Sequence, residues 1–291
     1  MGPITDPIRV VASDLDGTLL GHSEASPRSI AVLHRLQNLG IKIVLASGRP
    51  SRAMIPVVEQ TGIQGLSLCC NGALVFDAHQ RKIIKKYSIP TAVVRAMVAK
   101  LRHELEGGVY FGAESGAEFR CEPGYYSKRK QFVDHSYVIQ DAMTFANDSD
   151  PDATVEKLIV LHPTLPAEEL YHILLKILDG DEWRSAVKIT WSNVFFVEVS
   201  AVGVCKGSSL AALCEAWGVD KKEVIAFGDM PNDVEMITWA GRGVAVKNAH
   251  SDVLAVADEV TLSNWDDGVA VVLEDVVRNL EAEATNNCDN N

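Results

Sequence analysis

The chain has no long apolar run and no excess of positive charge. No hydrophobic stretch reaches the roughly 20 residues that a membrane-spanning helix needs, so we expect no membrane partner. Lys and Arg number 27 against 39 Asp and Glu, which gives a net charge of −12. This balance argues against nonspecific binding of nucleic acid and gives no help in attracting anionic phosphate compounds. A site for such a compound must therefore be built locally.

Cysteine is scarce and follows no metal-binding or disulfide pattern. Among the six residues only Cys69 and Cys70 lie close together, and no C-x-x-C pair occurs. This spacing fits reduced thiols and fits neither a zinc site nor a disulfide framework. The N-terminal residues also lack the basic and apolar segments of a signal peptide. We therefore expect a cytoplasmic protein.

Two carboxylates follow the first apolar run of the chain. The run at 10–13 predicts a strand, and Asp14 and Asp16 come directly after it, followed by a Gly-Thr pair. Because side chains alternate along a strand, both carboxylates project to the same side. Two like charges so close are unfavourable without a cation between them, and Mg²⁺ favours carboxylate and carbonyl oxygens. The pattern predicts a magnesium site in which one Asp attacks and the other moves protons; a turn or part of an EF-hand loop is the alternative.

Strands and helices alternate in the first and the last part of the chain. Continuous apolar strands between amphipathic helices predict a parallel sheet that is covered on both faces. At 291 residues the chain is long enough for one large or two medium domains. We predict strands at 10–13, 41–46, 66–70, 224–227, 243–246 and 258–262, and helices at 27–39, 51–60, 206–217, 232–239 and 268–280.

The middle of the chain has a different pattern. A helix followed by a hairpin occurs twice, with helices at 91–105 and 167–178 and strands at 109–111, 117–121, 186–191 and 194–200. This repetition predicts an α+β insertion with an open antiparallel sheet. We place the inserted domain at 85–202, between two halves of one α/β domain at 9–84 and 203–282, with flexible tails at 1–8 and 283–291.

Three further groups stand where strands end or where the chain re-enters the α/β domain. Ligands of open α/β sheets bind beyond the carboxyl ends of the strands. Ser47 and Gly48 offer a hydroxyl and N–H groups at a turn into a helix, which suits a phosphate but also an ordinary cap. Asp229 is placed as a third metal ligand. Lys206 has small and apolar neighbours, so its ammonium could neutralise phosphate charge and steady Asp14, although a lone Lys is usually solvated.

Together these motifs resemble the haloacid dehalogenase-like phosphohydrolases, and the resemblance runs from Val10 to about Glu274. The Cof-type branch is the most similar, because its cap is inserted between the third strand and the Lys motif. The resemblance implies a Rossmann-like parallel-sheet core with an inserted α+β cap that closes over the site and contributes substrate contacts. Ser47 and Lys247 depart from the common residues of the family, and neither change affects the chemistry. Further matching stretches are 71–73, 244–249, 257–261 and 266–270.

The resemblance also implies a role for each site residue. Asp14 is the nucleophile that becomes an aspartyl-phosphate, and Asp16 is the general acid and base. Mg²⁺ is held by Asp14, by the main-chain carbonyl of Asp16 and by Asp229, while Asp233 orients the groups around the metal. Capping of the next helix is the alternative role for Asp233. The phosphate oxygens are bound by the N–H groups of Leu15, Asp16 and Gly48 and by the side chains of Ser47, Lys206 and Asn232.

The implied function is that of a Mg²⁺-dependent phosphatase of small phosphorylated metabolites, such as sugar phosphates or phosphorylated cofactors. Arg49 and Asn71 are placed to face the leaving group, whereas the basic run at 125–130 is expected to be a solvated loop. A sugar phosphomutase is the alternative enzyme. A phospho-receiver module is disfavoured because such modules are much shorter and lack an inserted cap. A non-catalytic binding protein is disfavoured because every expected catalytic group is present. The sequence leaves the substrate and the oligomeric state open.

Overall fold

The structure, a computed structural model, describes residues 8–289 except 22, 107, 133–136 and 151. The strands are β1 Val10–Ser13, β2 Lys42–Ala46, β3 Leu66–Cys69, β4 Leu74–Asp77, β5 Lys82–Lys86, β6 Tyr110–Ser115, β7 Glu118–Cys121, β8 Tyr137–Ile139, β9 Lys157–Leu161, β10 Val187–Thr190, β11 Val197–Ala201, β12 Val224–Gly228, β13 Arg242–Ala245 and β14 Glu259–Val260. The helices are α1 Pro27–Asn38, α2 Ser51–Thr61, α3 Thr91–Glu104, α4 Pro123–Arg129, α5 Ala167–Ile177, α6 Asp181–Arg184, α7 Lys206–Trp217, α8 Val234–Trp239, α9 Ser251–Leu254 and α10 Gly268–Asp289. In these described residues no helix is both long and apolar enough to cross a membrane.

Strands from the two ends of the chain form one eight-stranded sheet. Its order is β14-β13-β12-β1-β2-β3-β4-β5, and the first six of these strands are parallel. β1 is wholly buried and lies between β12 and β2. The crossover helices cover the sheet, because continuous apolar strands need protection on both faces. The carboxyl ends of β12, β1 and β2 therefore meet at one edge of the sheet.

The middle of the chain forms a second sheet of six strands in the order β10-β11-β9-β6-β7-β8. All its pairs are antiparallel except β7 with β8. α3 and α5 pack on it through buried residues such as Met97, Leu101 and Leu174, which belong to a hydrophobic core separate from that of the first sheet. The predicted fold class, an α/β protein with a parallel-sheet core and an α+β insertion, is confirmed. The boundaries 85–202 of the inserted domain stay a prediction.

Several predicted elements differ from those observed. The hairpin β4–β5 and the strand β9 were not predicted, since β5 is mostly exposed and β9 is apolar on both faces, so neither alternates clearly. The third strand ends at Cys69, because Cys70 and Asn71 adopt left-handed backbone angles. The last strand is only Glu259–Val260, and a 3₁₀ turn precedes α8. Of the two predicted tails, 1–7 and 290–291 lie outside the described residues, while α10 runs on to Asp289.

Gly72 lies in the turn after β3 and packs against the start of α7, the helix that begins with Lys206. Its φ of +92° lies in the left-handed region that favours glycine. A Cβ atom at this position would lie 2.5 Å from the carbonyl oxygen of Cys205, the residue directly before α7. The missing side chain therefore lets the turn after β3 approach the start of α7 closely.

We expect Gly72→Ala to lower the free energy of unfolding by about 2–4 kcal/mol, because it combines backbone strain with overpacking. Gly40→Ala is the matched control: its φ of +84° is similar, but nothing lies within 4 Å of an added Cβ. This control should cost about 1 kcal/mol. Urea unfolding of both variants measures the difference, and equal losses would show that the close approach to Cys205 contributes nothing.

Candidate active site

The predicted site residues converge at the carboxyl edge of the parallel strands. Asp14 follows β1, Ser47 follows β2 and Asp229 follows β12. Because these strands are neighbours in the sheet, side chains that are more than 200 positions apart in sequence lie next to each other. Lys206, the first residue of α7, reaches the same place from the point where the chain leaves the second sheet.

Three buried carboxylates form the centre of the site. One oxygen from each of Asp14, Asp229 and Asp233 lies within 4.8 Å of the others. The ammonium of Lys206, itself fully buried, lies 2.5 Å from Asp14 Oδ1 and 2.6 Å from Asp233 Oδ1. The hydroxyl of Thr18 donates to Asp229 Oδ1 at 2.8 Å. One ammonium thus faces three carboxylates, so the cluster carries an excess of negative charge.

The electrostatics of the cluster reflect that excess. Burial raises the pKa of Asp14 well above its ordinary value, although Lys206 opposes the shift. Burial, followed by the charge of Asp233, raises the pKa of Asp229 to about 7. The pKa of Lys206 is raised, because its two carboxylate partners outweigh the effect of burial. A second cation bound by the carboxylate oxygens would relieve the repulsion among the three Asp side chains. Carboxylates and main-chain carbonyls are ligands that suit Mg²⁺.

Asp233 and Asp229 have different surroundings. Asp233 Oδ1 is bound to Lys206, and its Oδ2 accepts from the backbone N–H groups of Asp229 and Met230, both at 3.1 Å. Asp229 also lies against Gly17, where φ is +83° and any side chain would collide with the Asp229 carboxylate. Asp233 therefore fixes the loop that carries Asp229, while Asp229 lies beside the turn after Asp16.

Asp16 lies at the opening of the site rather than in the buried cluster. Its side chain is 54% exposed, and Arg49 binds it through two bonds, Nε to Oδ2 at 2.8 Å and Nη2 to Oδ1 at 2.5 Å. Arg49, which the sequence placed near the leaving group, thus contacts the residue predicted to be the acid. No sequence motif predicts this pairing, because the two residues belong to different loops.

The residues predicted to bind phosphate surround Asp14. Leu15 follows Asp14 directly, and Ser47 is buried with its Oγ accepting from the N–H of Arg49 at 3.1 Å. The amide of Asn232 donates to Asn71 Oδ1 at 2.9 Å. Asn232 Oδ1 is buried and has no hydrogen-bond partner among the residues that the structure describes. The site therefore retains an unused polar atom beside the predicted nucleophile.

A cavity of about 480 Å³ extends from Asp14, and residues of the inserted segment line much of its wall. Its charged lining includes Arg52, which pairs with Glu114 at 2.7 Å, and Lys157, which pairs with Glu198 at 2.8 Å. Its apolar lining includes Phe119, Tyr125, Ile159, Phe195 and Phe196. Of these residues only Tyr125 belongs to a segment that the sequence singled out, the basic run at 125–130; the others belong to no motif that points to a distant site.

The basic run at 125–130 is helical over most of its length, and the predicted solvated loop is wrong for two of its members. Tyr125 is 4% exposed and lines the cavity, where the tilted ring of Phe119 packs against it. Arg129 also lines the cavity, with its guanidinium 4.1 Å from the centre of the Phe195 ring. Lys128 and Lys130 are exposed, as predicted. The four-residue spacing of Tyr125 and Arg129 places both on one face of α4, and this helical spacing could have predicted that they share the cavity.

Known proteins agree with this architecture. A family model described as haloacid dehalogenase-like hydrolase matches residues 11–273. A pyridoxal phosphate phosphatase from Escherichia coli is 27% identical, over 90% of this chain and 96% of its own length. A haloacid dehalogenase-like hydrolase from Bacteroides thetaiotaomicron is similar in structure, with a TM-score of 0.73 at 28% identity, and it covers 92% of this chain and 99% of its own. A sugar phosphatase of HAD subclass IIB has a TM-score of 0.72 at 25% identity, over 91% and 98% of the two chains. The chain belongs to the haloacid dehalogenase-like hydrolase family.

Proposed function

We propose that this protein is a Mg²⁺-dependent phosphatase that hydrolyses small phosphorylated metabolites through an aspartyl-phosphate on Asp14. The observation that carries the proposal is the buried Asp14 carboxylate, which Lys206 binds at 2.5 Å and which lines a cavity of about 480 Å³. A nucleophilic carboxylate needs such an orienting cation and a water-poor site. The names of the phosphatase relatives support the same reaction class.

The acidic cluster supports a metal site at the same place. Asp14, Asp229 and the main-chain carbonyl of Asp16 would hold Mg²⁺, because the third carboxylate, Asp233, already binds Lys206 and two backbone N–H groups. When bound, Mg²⁺ offsets the negative charge of the phosphate and of the nucleophile that approaches it. The excess of carboxylates over ammonium groups provides the driving force for binding.

Two displacements at phosphorus complete the reaction. In the first, Asp14 forms a bond to phosphorus, the ester P–O bond breaks, and Asp16 gives a proton to the leaving oxygen. In the second, Asp16 takes a proton from water, the water oxygen attacks phosphorus, and Asp14 is regenerated as inorganic phosphate leaves. Ser47, Lys206 and Asn232, with the N–H groups of Leu15, Asp16 and Gly48, would bind the phosphate oxygens. Arg49 would exchange its bonds to Asp16 for bonds to the substrate, which frees the acid.

The cavity walls support a ring-bearing leaving group. The inserted segment contributes four aromatic side chains to the lining: Phe119 on β7, Tyr125 on α4, and Phe195 and Phe196 in the loop before β11. Flat rings gain from offset or edge-to-face packing against such walls, whereas a sugar presents hydroxyl groups that need polar partners. Within the phosphorylated metabolites, we therefore propose cofactor phosphates such as pyridoxal phosphate as better substrates than sugar phosphates. The segment at 85–202 would act as the cap that selects them.

Asp14→Asn should lower kcat for phosphate release by at least about 10³-fold, since an amide cannot form the acyl phosphate. The measurement is phosphate release from pyridoxal phosphate, flavin mononucleotide and sugar phosphates, with Mg²⁺ and with EDTA. Asp148→Asn, an exposed carboxylate far from the site in sequence, is the control and should retain full activity. Activity in EDTA, or release by the Asp14 variant above the uncatalysed rate, would contradict the mechanism.

Asp229→Asn should have opposite effects on stability with and without metal. Without Mg²⁺ the variant should be more stable by about 1 kcal/mol, because it removes one of three crowded carboxylates. With saturating Mg²⁺ the wild type should be the more stable protein, since the metal binds its folded state more tightly. Thermal unfolding at several Mg²⁺ concentrations measures both, and equal stabilisation of the two proteins by Mg²⁺ would exclude Asp229 as a ligand.

Phe195→Ala should change substrate preference. We expect kcat/KM for pyridoxal phosphate to fall about 3- to 10-fold, as a ring–ring contact is lost, with less than a twofold change for a hexose phosphate. Val194→Ala, the neighbouring side chain at 64% exposure and outside the cavity, is the matched control. Equal losses for both substrates would show that Phe195 supports the cavity without recognising the ring.

A further inference from the structure

A buried ion pair of the second sheet contacts the predicted phosphate-binding loop of the first. Lys157 begins β9 and Glu198 lies on the adjacent β11, with side chains 5% and 2% exposed. Lys157 Nζ lies 2.8 Å from Glu198 Oε1 and donates a second bond to the carbonyl oxygen of Gly48 at 2.6 Å. The reaction steps above use neither charge. A buried pair is weak evidence for stability, so its position calls for another explanation.

Glu198 continues the network toward the nucleophile. Its Oε2 accepts from the hydroxyl of Ser192 at 2.5 Å, and it also accepts a hydrogen bond from Asn71. The side-chain amide of Asn232 in turn donates a hydrogen bond to Asn71 Oδ1 at 2.9 Å. These two hydrogen bonds, one at each end of the Asn71 amide, define the direction of its side chain. The chain of bonds thus runs from the second sheet to Asn232, which lines the same cavity as Asp14.

The charge states of the pair suit this task. Although burial alone would raise it, the pKa of Glu198 is lowered by Lys157 and by hydrogen bonds to the carboxylate. The pKa of Lys157 is raised, because nearby carboxylates, Glu198 foremost, outweigh burial. Both groups are therefore charged at neutral pH. A charged acceptor and a charged donor make shorter and stronger hydrogen bonds than neutral ones, which favours a rigid network.

We propose that Lys157 and Glu198 are positioning residues, which hold the Gly48 loop and the Asn71–Asn232 amide pair in the geometry that binds phosphate. Lys157 fixes the Gly48 peptide through its carbonyl, so the loop keeps one orientation, while Glu198 fixes Asn71 and, through it, Asn232. The phosphate-binding site is complete only when the second sheet lies over the first. This inference rests on the proposed function, because it takes Gly48 and Asn232 to be phosphate-binding groups.

The test must separate positioning from simple burial of two charges. Lys157→Met alone leaves Glu198 as an unpaired buried charge and should lower the melting temperature. The double variant Lys157→Met, Glu198→Gln removes both charges, while the Gln oxygen can accept from Asn71 and its NH2 group can donate to the Ser192 hydroxyl. Its melting temperature should return toward the wild-type value. Its affinity for inorganic phosphate, measured by calorimetry with Mg²⁺ present, should stay about 10- to 100-fold weaker, because nothing holds the Gly48 carbonyl.

Lys188→Met is the matched control. Lys188 on β10 pairs with Glu235 on α8, so this pair also joins the two sheets, yet neither residue lines the cavity. Its phosphate affinity should stay within about twofold of the wild type. The inference would be overturned by a double variant that binds phosphate as the wild type does, or by an equal loss in Lys188→Met. Because phosphate binding needs no turnover, a wild type that binds phosphate without hydrolysing esters would contradict the proposed function alone.

Discussion

The buried ammonium of Lys206 is the interaction on which the rest of the site depends. A lone charge in the protein interior is very unfavourable, so Lys206 requires both of its carboxylate partners. Asp14 comes from the end of β1, Asp233 from the turn after β12, and Lys206 from the first turn of α7. One ion-pair triad therefore joins the first strand of the chain to two elements near its C-terminal end. It also leaves the cluster with more carboxylates than cations, and this excess favours a divalent metal beside Asp14.

The second sheet supplies what the first lacks. The carboxyl edge of a parallel sheet is an open crevice, whereas displacement at phosphorus needs limited access of water. The walls of the cavity combine aromatic rings with two ion pairs, the partly buried Arg52–Glu114 and the buried Lys157–Glu198. The two pairs connect the domains in opposite directions. Arg52 extends from α2 of the first domain to Glu114 on the second sheet, while Lys157 extends from the second sheet to the Gly48 carbonyl of the first domain. Lys157 thus connects the wall of the cavity directly to the loop that we propose binds phosphate.

The sequence predicts the part of the site that follows from strand ends. Asp14, Asp16, Ser47 and Asp229 each follow an apolar run, and the rule that ligands bind beyond carboxyl ends brings them together. It does not predict the contribution of the second sheet, because Lys157 and Glu198 are ordinary strand residues whose meeting depends on how two sheets pack. β9 itself was missed, since an apolar strand buried on both faces shows no alternation. The Asp16–Arg49 pair depends on the conformations of two loops, which composition and periodicity do not specify.

The central claim is that Asp14 carries the phosphoryl group between the two displacements. Its most direct test is acid quenching of the enzyme with Mg²⁺ and a ³²P-labelled substrate on the millisecond timescale, followed by peptide mapping. The account predicts that the label is on the peptide containing Asp14, is released by neutral hydroxylamine, and appears before free phosphate. Phosphate release at full rate with no protein-bound label at any time would mean that water attacks the substrate directly, and it would contradict the account.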